Sequence, residues 1–92
     1  DRTPQAALTL GRACEALGRY AEAEKAYDFA AGRLPGLEGL GRYAAFLARA
    51  GRRQEAQAAL DEIDRRIARA DPMFRKEARI WRDLAANALG SA

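Results

Sequence analysis

The chain has 92 residues, 49% of them hydrophobic and 32% charged, and a formal net charge of +3 at pH 7. A chain of this length forms one domain, 1–92, and its composition is typical of a globular protein and excludes a disordered segment. The single cysteine, Cys14, excludes an internal disulfide, and no apolar run approaches the roughly 20 residues of a membrane span.

The first third of the sequence predicts two helices joined by a tight turn. Thr3 and Pro4 are typical of an N-cap and a first helical turn. Apolar residues at helical spacing then predict a first helix over 4–17: Leu10, Cys14 and Leu17. Gly18 suits the left-handed position that follows a helix. A second apolar stripe predicts a helix over 20–32: Ala23, Ala26, Tyr27 and Ala30.

The rest of the sequence repeats this pattern and adds a fifth helix. A stripe that ends at Gly51 predicts a third helix over 36–50: Leu40, Tyr43, Ala44 and Leu47. Another stripe predicts a fourth helix over 53–70: Ala56, Leu60, Ile63 and Ile67. Asp71 and Pro72 are typical of the start of a fifth helix over 72–89. Its apolar residues are expected to cover the stack: Ile80, Trp81, Leu84 and Leu89.

Two glycines lie near the start of the third predicted helix. Gly39 and Gly41 each cost about 1 kcal/mol in a helix relative to alanine. We therefore expect this turn to be the least rigid part of the fold unless a neighbouring helix packs closely against it. No strand is predicted anywhere in the sequence.

An internal repeat appears when the sequence is shifted on itself by 33 residues. The shift places Gly18 on Gly51, Ala23 on Ala56 and Tyr27 on Leu60. Two unrelated amphipathic helix pairs would not bring the turn glycine and the small residues into phase. The sequence therefore predicts two repeats, over about 4–35 and 36–70, and a capping helix over about 72–89.

These residues resemble the tetratricopeptide repeat (TPR), whose unit is two antiparallel helices of about 34 residues. The first repeat carries the matching positions: Leu10, Gly11, Gly18, Tyr20, Ala23, Tyr27, Ala30 and Pro35. The second repeat departs from the pattern, with Tyr43 and Ala44 in place of Leu-Gly and Arg53 in place of the turn tyrosine. The resemblance implies an all-α superhelix, a TPR-like solenoid that acts as a protein-binding scaffold. The use of 14 Arg against 2 Lys favours a GC-rich bacterial genome. The chain also resembles the C-terminal repeat segment of bacterial proteins of this family.

The sequence lacks the residue patterns that catalysis and metal binding use. It contains no histidine, no glycine-rich phosphate loop and no nucleophile elbow. The spacing of Asp61 to Arg65 and of Glu62 to Arg66 predicts ion pairs on a solvated face rather than paired catalytic acids. Cys14 lies on an apolar stripe and is expected to be a buried, inert thiol. We expect no enzyme, no cofactor and no metal.

The resemblance implies that a protein or peptide binds in a concave groove lined by the first helix of each pair. Candidate partner-binding residues are Leu8, Arg12, Glu15, Arg42, Ala45, Arg49, Arg75, Arg79 and Arg82. The last three arginines recur at helical spacing and are expected to form a row beside the groove. A basic groove favours a partner with acidic residues. Some family members clamp a terminal carboxylate, but only Arg79 agrees with that pattern, so no such clamp is assumed.

Two other functions stay open. Residues 65–82 carry seven basic and two acidic side chains, which favours association with nucleic acid or an anionic membrane surface. Nucleic acid is disfavoured because exposed aromatic residues for base stacking are not evident. The first helix has no preceding neighbour, so Leu8 and Leu17 are expected to be partly exposed and to favour a homodimer.

The start of the sequence, DRTPQ, has no signal-peptide character. Together with the single cysteine, this favours a cytoplasmic or cytoplasm-facing location. Contact with a membrane is expected only through regions outside these residues.

Overall fold

The computed structural model describes residues 3–91, and within that range the chain is all-α. Its five helices are α1 (Pro4–Ala16), α2 (Tyr20–Arg33), α3 (Glu38–Arg49), α4 (Arg53–Ala68) and α5 (Pro72–Ser91). Each bound lies within two residues of the sequence prediction, and residues 3–91 contain no strand. The predicted caps are confirmed, since the Thr3 hydroxyl accepts from Ala6 N–H at 3.1 Å and the Asp71 carboxylate accepts from Phe74 N–H at 2.9 Å.

The turns α1–α2 and α3–α4 have the same backbone geometry. Gly18 and Gly51 adopt φ values of 77° and 81°. The left-handed position is predicted for Gly18, and Gly51, its equivalent in the repeat, adopts it too. After each of them, an arginine N–H closes the helix end: Arg19 donates to the Cys14 carbonyl at 2.8 Å and Arg52 to the Leu47 carbonyl at 2.9 Å. The two helix pairs therefore have turns of the same geometry, and these turns lie 33 positions apart in the sequence.

Helix α3 is the centre of the fold, because α2, α4 and α5 all pack against it. It is consequently buried on most of its surface, including Ala44, Phe46 and Leu47. The Phe46 ring lies 5.1 Å from the ring of Tyr27 on α2, centroid to centroid. The Tyr27 ring also lies against Gly11 on α1, where an added Cβ would approach it to 3.2 Å. Tyr27 thus fills the space between α1 and α3.

Both glycines near the start of α3 allow close contact with a neighbouring helix. A Cβ on Gly39 would lie 2.8 Å from the Ala30 carbonyl oxygen of α2. A Cβ on Gly41 would lie 2.7 Å from the Trp81 Cβ and 2.8 Å from its carbonyl oxygen on α5. The expectation of a loose turn depended on the absence of such packing. A neighbouring helix packs closely against each glycine.

The buried faces of α1 and α5 differ from the predicted stripes. On α1 the buried residues are Leu8, Gly11 and Cys14, while Leu10 and Leu17 are exposed. Helix α2 packs over Gly11. Leu10, one position earlier, therefore points about 100° away from this contact. The predicted exposure of Leu8 is therefore wrong, since it is 2% exposed, and that of Leu17 is confirmed, since it is 71% exposed.

On α5 the prediction that Ile80 covers the stack is wrong. Its exposed fraction is 59%, and the buried positions of the helix are Ala78, Ala85 and Leu89. Trp81 is partly buried against this core. Since Ile80 lies two positions from Ala78, it points about 200° away from that buried residue.

Candidate functional site

A cavity of about 440 Å³ opens between α1, α2, α3 and α5, so a helix outside the predicted groove, α2, also lines it. It is lined by Arg12, Glu15, Ala16, Tyr20, Tyr27, Arg42, Arg49 and Leu84. Four sequence-predicted residues therefore come together here: Arg12, Glu15, Arg42 and Arg49. We call this cavity the arginine groove.

Glu15 and Arg49 pair across the arginine groove. The Arg49 guanidinium donates two hydrogen bonds to the Glu15 carboxylate, from Nε at 2.6 Å and Nη2 at 2.9 Å. The Tyr27 hydroxyl donates a third, at 3.0 Å. The Arg49 hydrogen bonds hold the pKa of Glu15 below its usual range, whereas burial and the bond to Glu15 raise the pKa of Tyr27 to about 12. Glu15 thus stays ionised and offsets one of the three arginine charges.

Arg42 is held by two contacts. Its Nε lies 3.0 Å from the Glu38 carboxylate, one helical turn earlier. Its guanidinium carbon lies 5.0 Å from the centroid of the Trp81 ring, within the range of a cation–π contact. Arg42 is therefore fixed in position at the wall of the groove.

Arg12 is the third arginine of the groove, and it is exposed. No carboxylate of residues 3–91 lies within 4 Å of its guanidinium. Of the three arginines, Arg12 alone therefore offers a charge without an internal partner in that range.

The groove continues along α5 as an apolar surface. A second cavity, of about 470 Å³, is lined by Ala48, Arg49, Leu84, Asn87, Ala88 and Ser91. It shares Arg49 and Leu84 with the arginine groove. One continuous surface thus runs from a basic end at Arg12 to an apolar end at Ala88.

Two candidate residues are buried and cannot contact a partner in this conformation. Leu8 is 2% exposed and belongs to the core between the helices. Ala45 is 0% exposed, because α3 is covered on several sides by its neighbours. Their placement in the groove is therefore wrong. Tyr20 and Leu84 line it instead. No sequence pattern indicates this, because the groove face depends on how the helices pack against one another.

The arginine row of α5 lies away from the groove. Arg75 donates to the carbonyls of Ile67 and Ala68 at 3.1 and 3.2 Å, where α4 ends. Arg82 lies 3.0 Å from the Asp64 carboxylate, also on α4. Arg79 is exposed and does not line the groove. The expectation that these arginines lie beside the groove is wrong, because Arg75 and Arg82 bind residues of α4 instead.

Other basic residues of 65–82 are also engaged locally. Glu62 accepts from both Arg65 and Arg66, with nitrogen–oxygen distances of 2.8 Å in each case. The predicted pair of Asp61 and Arg65 is wrong, since Asp61 accepts instead from the Gln57 amide at 3.0 Å. Four basic residues of the segment have no carboxylate within 4 Å in the described part of the chain: Arg69, Arg75, Lys76 and Arg79.

Cys14 is buried, as predicted. Among residues 3–91, no group of three or more acidic or cysteine side chains is placed to share a metal ion. None of the helices in that range is both long enough and apolar enough to cross a lipid bilayer.

Comparison with known proteins gives no match: no protein-family model, curated protein or solved structure is similar to this chain. The interpretation of the groove therefore depends on its own geometry and charge. Its salient features are the three arginines, the single carboxylate that faces them and the apolar surface beyond.

Proposed function

We propose that this chain is a TPR-like repeat module that binds an acidic segment of a partner protein in the arginine groove. In this proposal α1–α2 and α3–α4 are the two repeats, and α5 is the capping helix. Support comes from the two turns of equal geometry at Gly18 and Gly51. The order of helices supports it as well, since residues of α1, α3 and α5 line one cavity, together with Tyr20 and Tyr27 of α2.

The observation that carries the proposal is the charge of the groove. Arg12, Arg42 and Arg49 face it. Glu38 pairs with Arg42 and Glu15 with Arg49, which leaves the positive charge of Arg12. Opposite charges across an interface increase the rate of encounter and select among partners. An acidic segment therefore fits this surface better than a neutral or basic one.

The apolar end of the groove indicates what else the segment contains. Leu84 and Ala88 provide a surface on which an apolar side chain loses contact with water. Arg12 provides an unpaired cation near the other end. We therefore expect an acidic residue and an apolar residue in the same segment, bound at Arg12 and at Leu84.

The test is a selection of random peptides on the immobilised chain, followed by titration of the recovered peptides into ¹⁵N-labelled protein. Peptides rich in Asp and Glu are expected, with amide shifts clustered around the arginine groove. Arg12→Glu is expected to weaken binding about tenfold, since a reversed charge repels the acidic peptide. Arg79→Glu is the matched control, because it makes the same change on the far side of α5.

Two outcomes would overturn the proposal. Peptides with no acidic preference, or equal losses in Arg12→Glu and Arg79→Glu, would remove the role of the groove. Steep salt dependence with single-stranded DNA, together with a loss of DNA binding in Arg79→Glu, would instead support nucleic-acid binding through 65–82.

A further inference from the structure

We propose that a smaller cavity, separate from the two described above, binds the guanidinium group of an arginine side chain on a partner protein. The cavity has a volume of about 70 Å³ and lies where the α2–α3 turn meets the start of α5. Its wall includes the carboxylates Glu38 and Glu77 and the aromatic rings of Phe74 and Trp81. We call it the acidic pocket.

The chemistry of the acidic pocket matches a planar cation. Guanidinium groups stack on aromatic faces and form two parallel hydrogen bonds with a carboxylate. Trp81 already accepts one guanidinium, that of Arg42. Arg42 lines the arginine groove and not the acidic pocket. Trp81 therefore lines the acidic pocket and contacts an arginine that lines the groove.

The charge of the acidic pocket is negative. Glu38 is balanced by Arg42, whose Nε lies 3.0 Å from its carboxylate. Glu77 has no cationic group of residues 3–91 within 4 Å. One carboxylate thus remains to pair with a cation from outside, and this charge complementarity selects the occupant.

The walls of the acidic pocket are held by backbone packing. Gly36, in the turn, has a φ of 77°, which most other residues adopt only at a cost. Gly39 and Gly41 bring α3 against α2 and α5, which fixes Glu38 relative to Trp81. A pocket formed before binding loses little entropy when its ligand enters.

The first experiment uses Trp81, the single tryptophan of the chain, as a fluorescent reporter. N-acetyl-arginine amide is titrated against its neutral analogue, N-acetyl-citrulline amide. We expect a saturable change with the arginine compound and none with the citrulline compound. A linear change with both would overturn the proposal.

The second experiment uses matched variants on α5. Glu77→Gln should weaken the arginine compound about two- to fivefold, the effect of losing one exposed ion pair. Asp83→Asn, which removes an exposed carboxylate outside the pocket, should leave its affinity unchanged. Phe74→Ala should weaken binding, and Met73→Ala, a change at the adjacent exposed residue, should not.

Three further results would overturn the assignment. Equal losses in Glu77→Gln and Asp83→Asn would show a general charge effect rather than a site. Unchanged affinity in Glu77→Gln would remove its carboxylate from the site. Because Glu77 is exposed, this substitution should leave the fold intact. Saturable binding of tetramethylammonium but not of the arginine compound would assign the pocket to methylated amines instead. Peptide binding in the arginine groove is independent of each result.

Discussion

Glu15 and Arg49 join α1 to α3 through a forked pair of hydrogen bonds, although 34 positions separate them in the sequence. The Glu15 side chain is only 16% exposed, and the Tyr27 hydroxyl is bound to the same carboxylate. Two residues that the sequence assigns to partner binding, Glu15 and Arg49, thus bind each other. Arg12 is left as the unpaired cation of the arginine groove.

A double-mutant cycle with Glu15→Gln and Arg49→Gln should give a coupling free energy of about 1 kcal/mol. This is the upper end for partly exposed pairs, because the geometry is bidentate and one partner is shielded from water. Urea unfolding of the four proteins measures it. The exposed pair of Arg19 and Glu22, whose contact is 4.0 Å long, provides the control cycle and should give a smaller coupling. Equal couplings would mean that the fork contributes no more than a surface contact.

Gly41→Ala should destabilise the fold by about 1–3 kcal/mol, the range for overpacking. The new Cβ would lie 2.7 Å from the Cβ of Trp81, so α3 and α5 would have to separate. Gly32→Ala is the matched control, because nothing lies within 4 Å of its Cβ position in α2. It should stabilise the protein by about 0.5–1 kcal/mol through helix propensity. Chemical denaturation compares the two, and a stabilising Gly41→Ala would contradict the close approach.

Ala23→Leu and Ala56→Leu should each cost about 1–3 kcal/mol, because both alanines are fully buried at equivalent positions of the two helix pairs. Ala58→Leu places the same side chain on an exposed position of α4 and should change stability little. Thermal unfolding followed by circular dichroism measures the three variants. If Ala23→Leu or Ala56→Leu unfolded at the temperature of the unmodified protein, the alignment of the two repeats would be wrong.

Local signals were sufficient to predict the helices. Caps such as Thr3 and Asp71 and left-handed glycines such as Gly18 act on the nearest turn of backbone, so sequence alone locates them. Sequence alone does not determine which face of an alanine-rich helix is buried, since several faces of the helix carry similar apolar stripes. On α1, packing of Tyr27 against Gly11 decides the register.

The candidate site could likewise be predicted only in part from the sequence. Arg12 and Arg42 lie in the groove because the order of the helices puts them there. Pairs between helices, such as Arg82 with Asp64, depend on how α4 and α5 pack. No spacing within one helix reveals such a pair, and this is why the arginine row was misplaced.

Stability should fall as the pH rises from 10 to 12, because burial raises the pKa of Tyr27 and of Tyr43 from about 10 to about 12. In that window Tyr27 and Tyr43 lose their protons in the unfolded chain and keep them in the folded chain, so deprotonation favours unfolding. The slope for Tyr27 is at most about 1.4 kcal/mol per pH unit. Urea unfolding at several pH values measures it. Tyr27→Phe should flatten the slope, and an unchanged slope would show that Tyr27 does not contribute.

Arg82→Glu should destabilise the packing of α5 on α4, because it removes the pair with Asp64 and places two carboxylates together. The expected loss is about 1 kcal/mol, or roughly 4–8 °C in Tm for a domain of this size. Arg79→Glu makes the same charge change on an exposed residue one turn away and should shift Tm less. Circular dichroism melts of both variants make the comparison. Any partner lost in Arg82→Glu but kept in Arg79→Glu would then reflect the weakened α4–α5 contact, whereas equal melting temperatures would show that the Arg82 pair adds nothing to the fold.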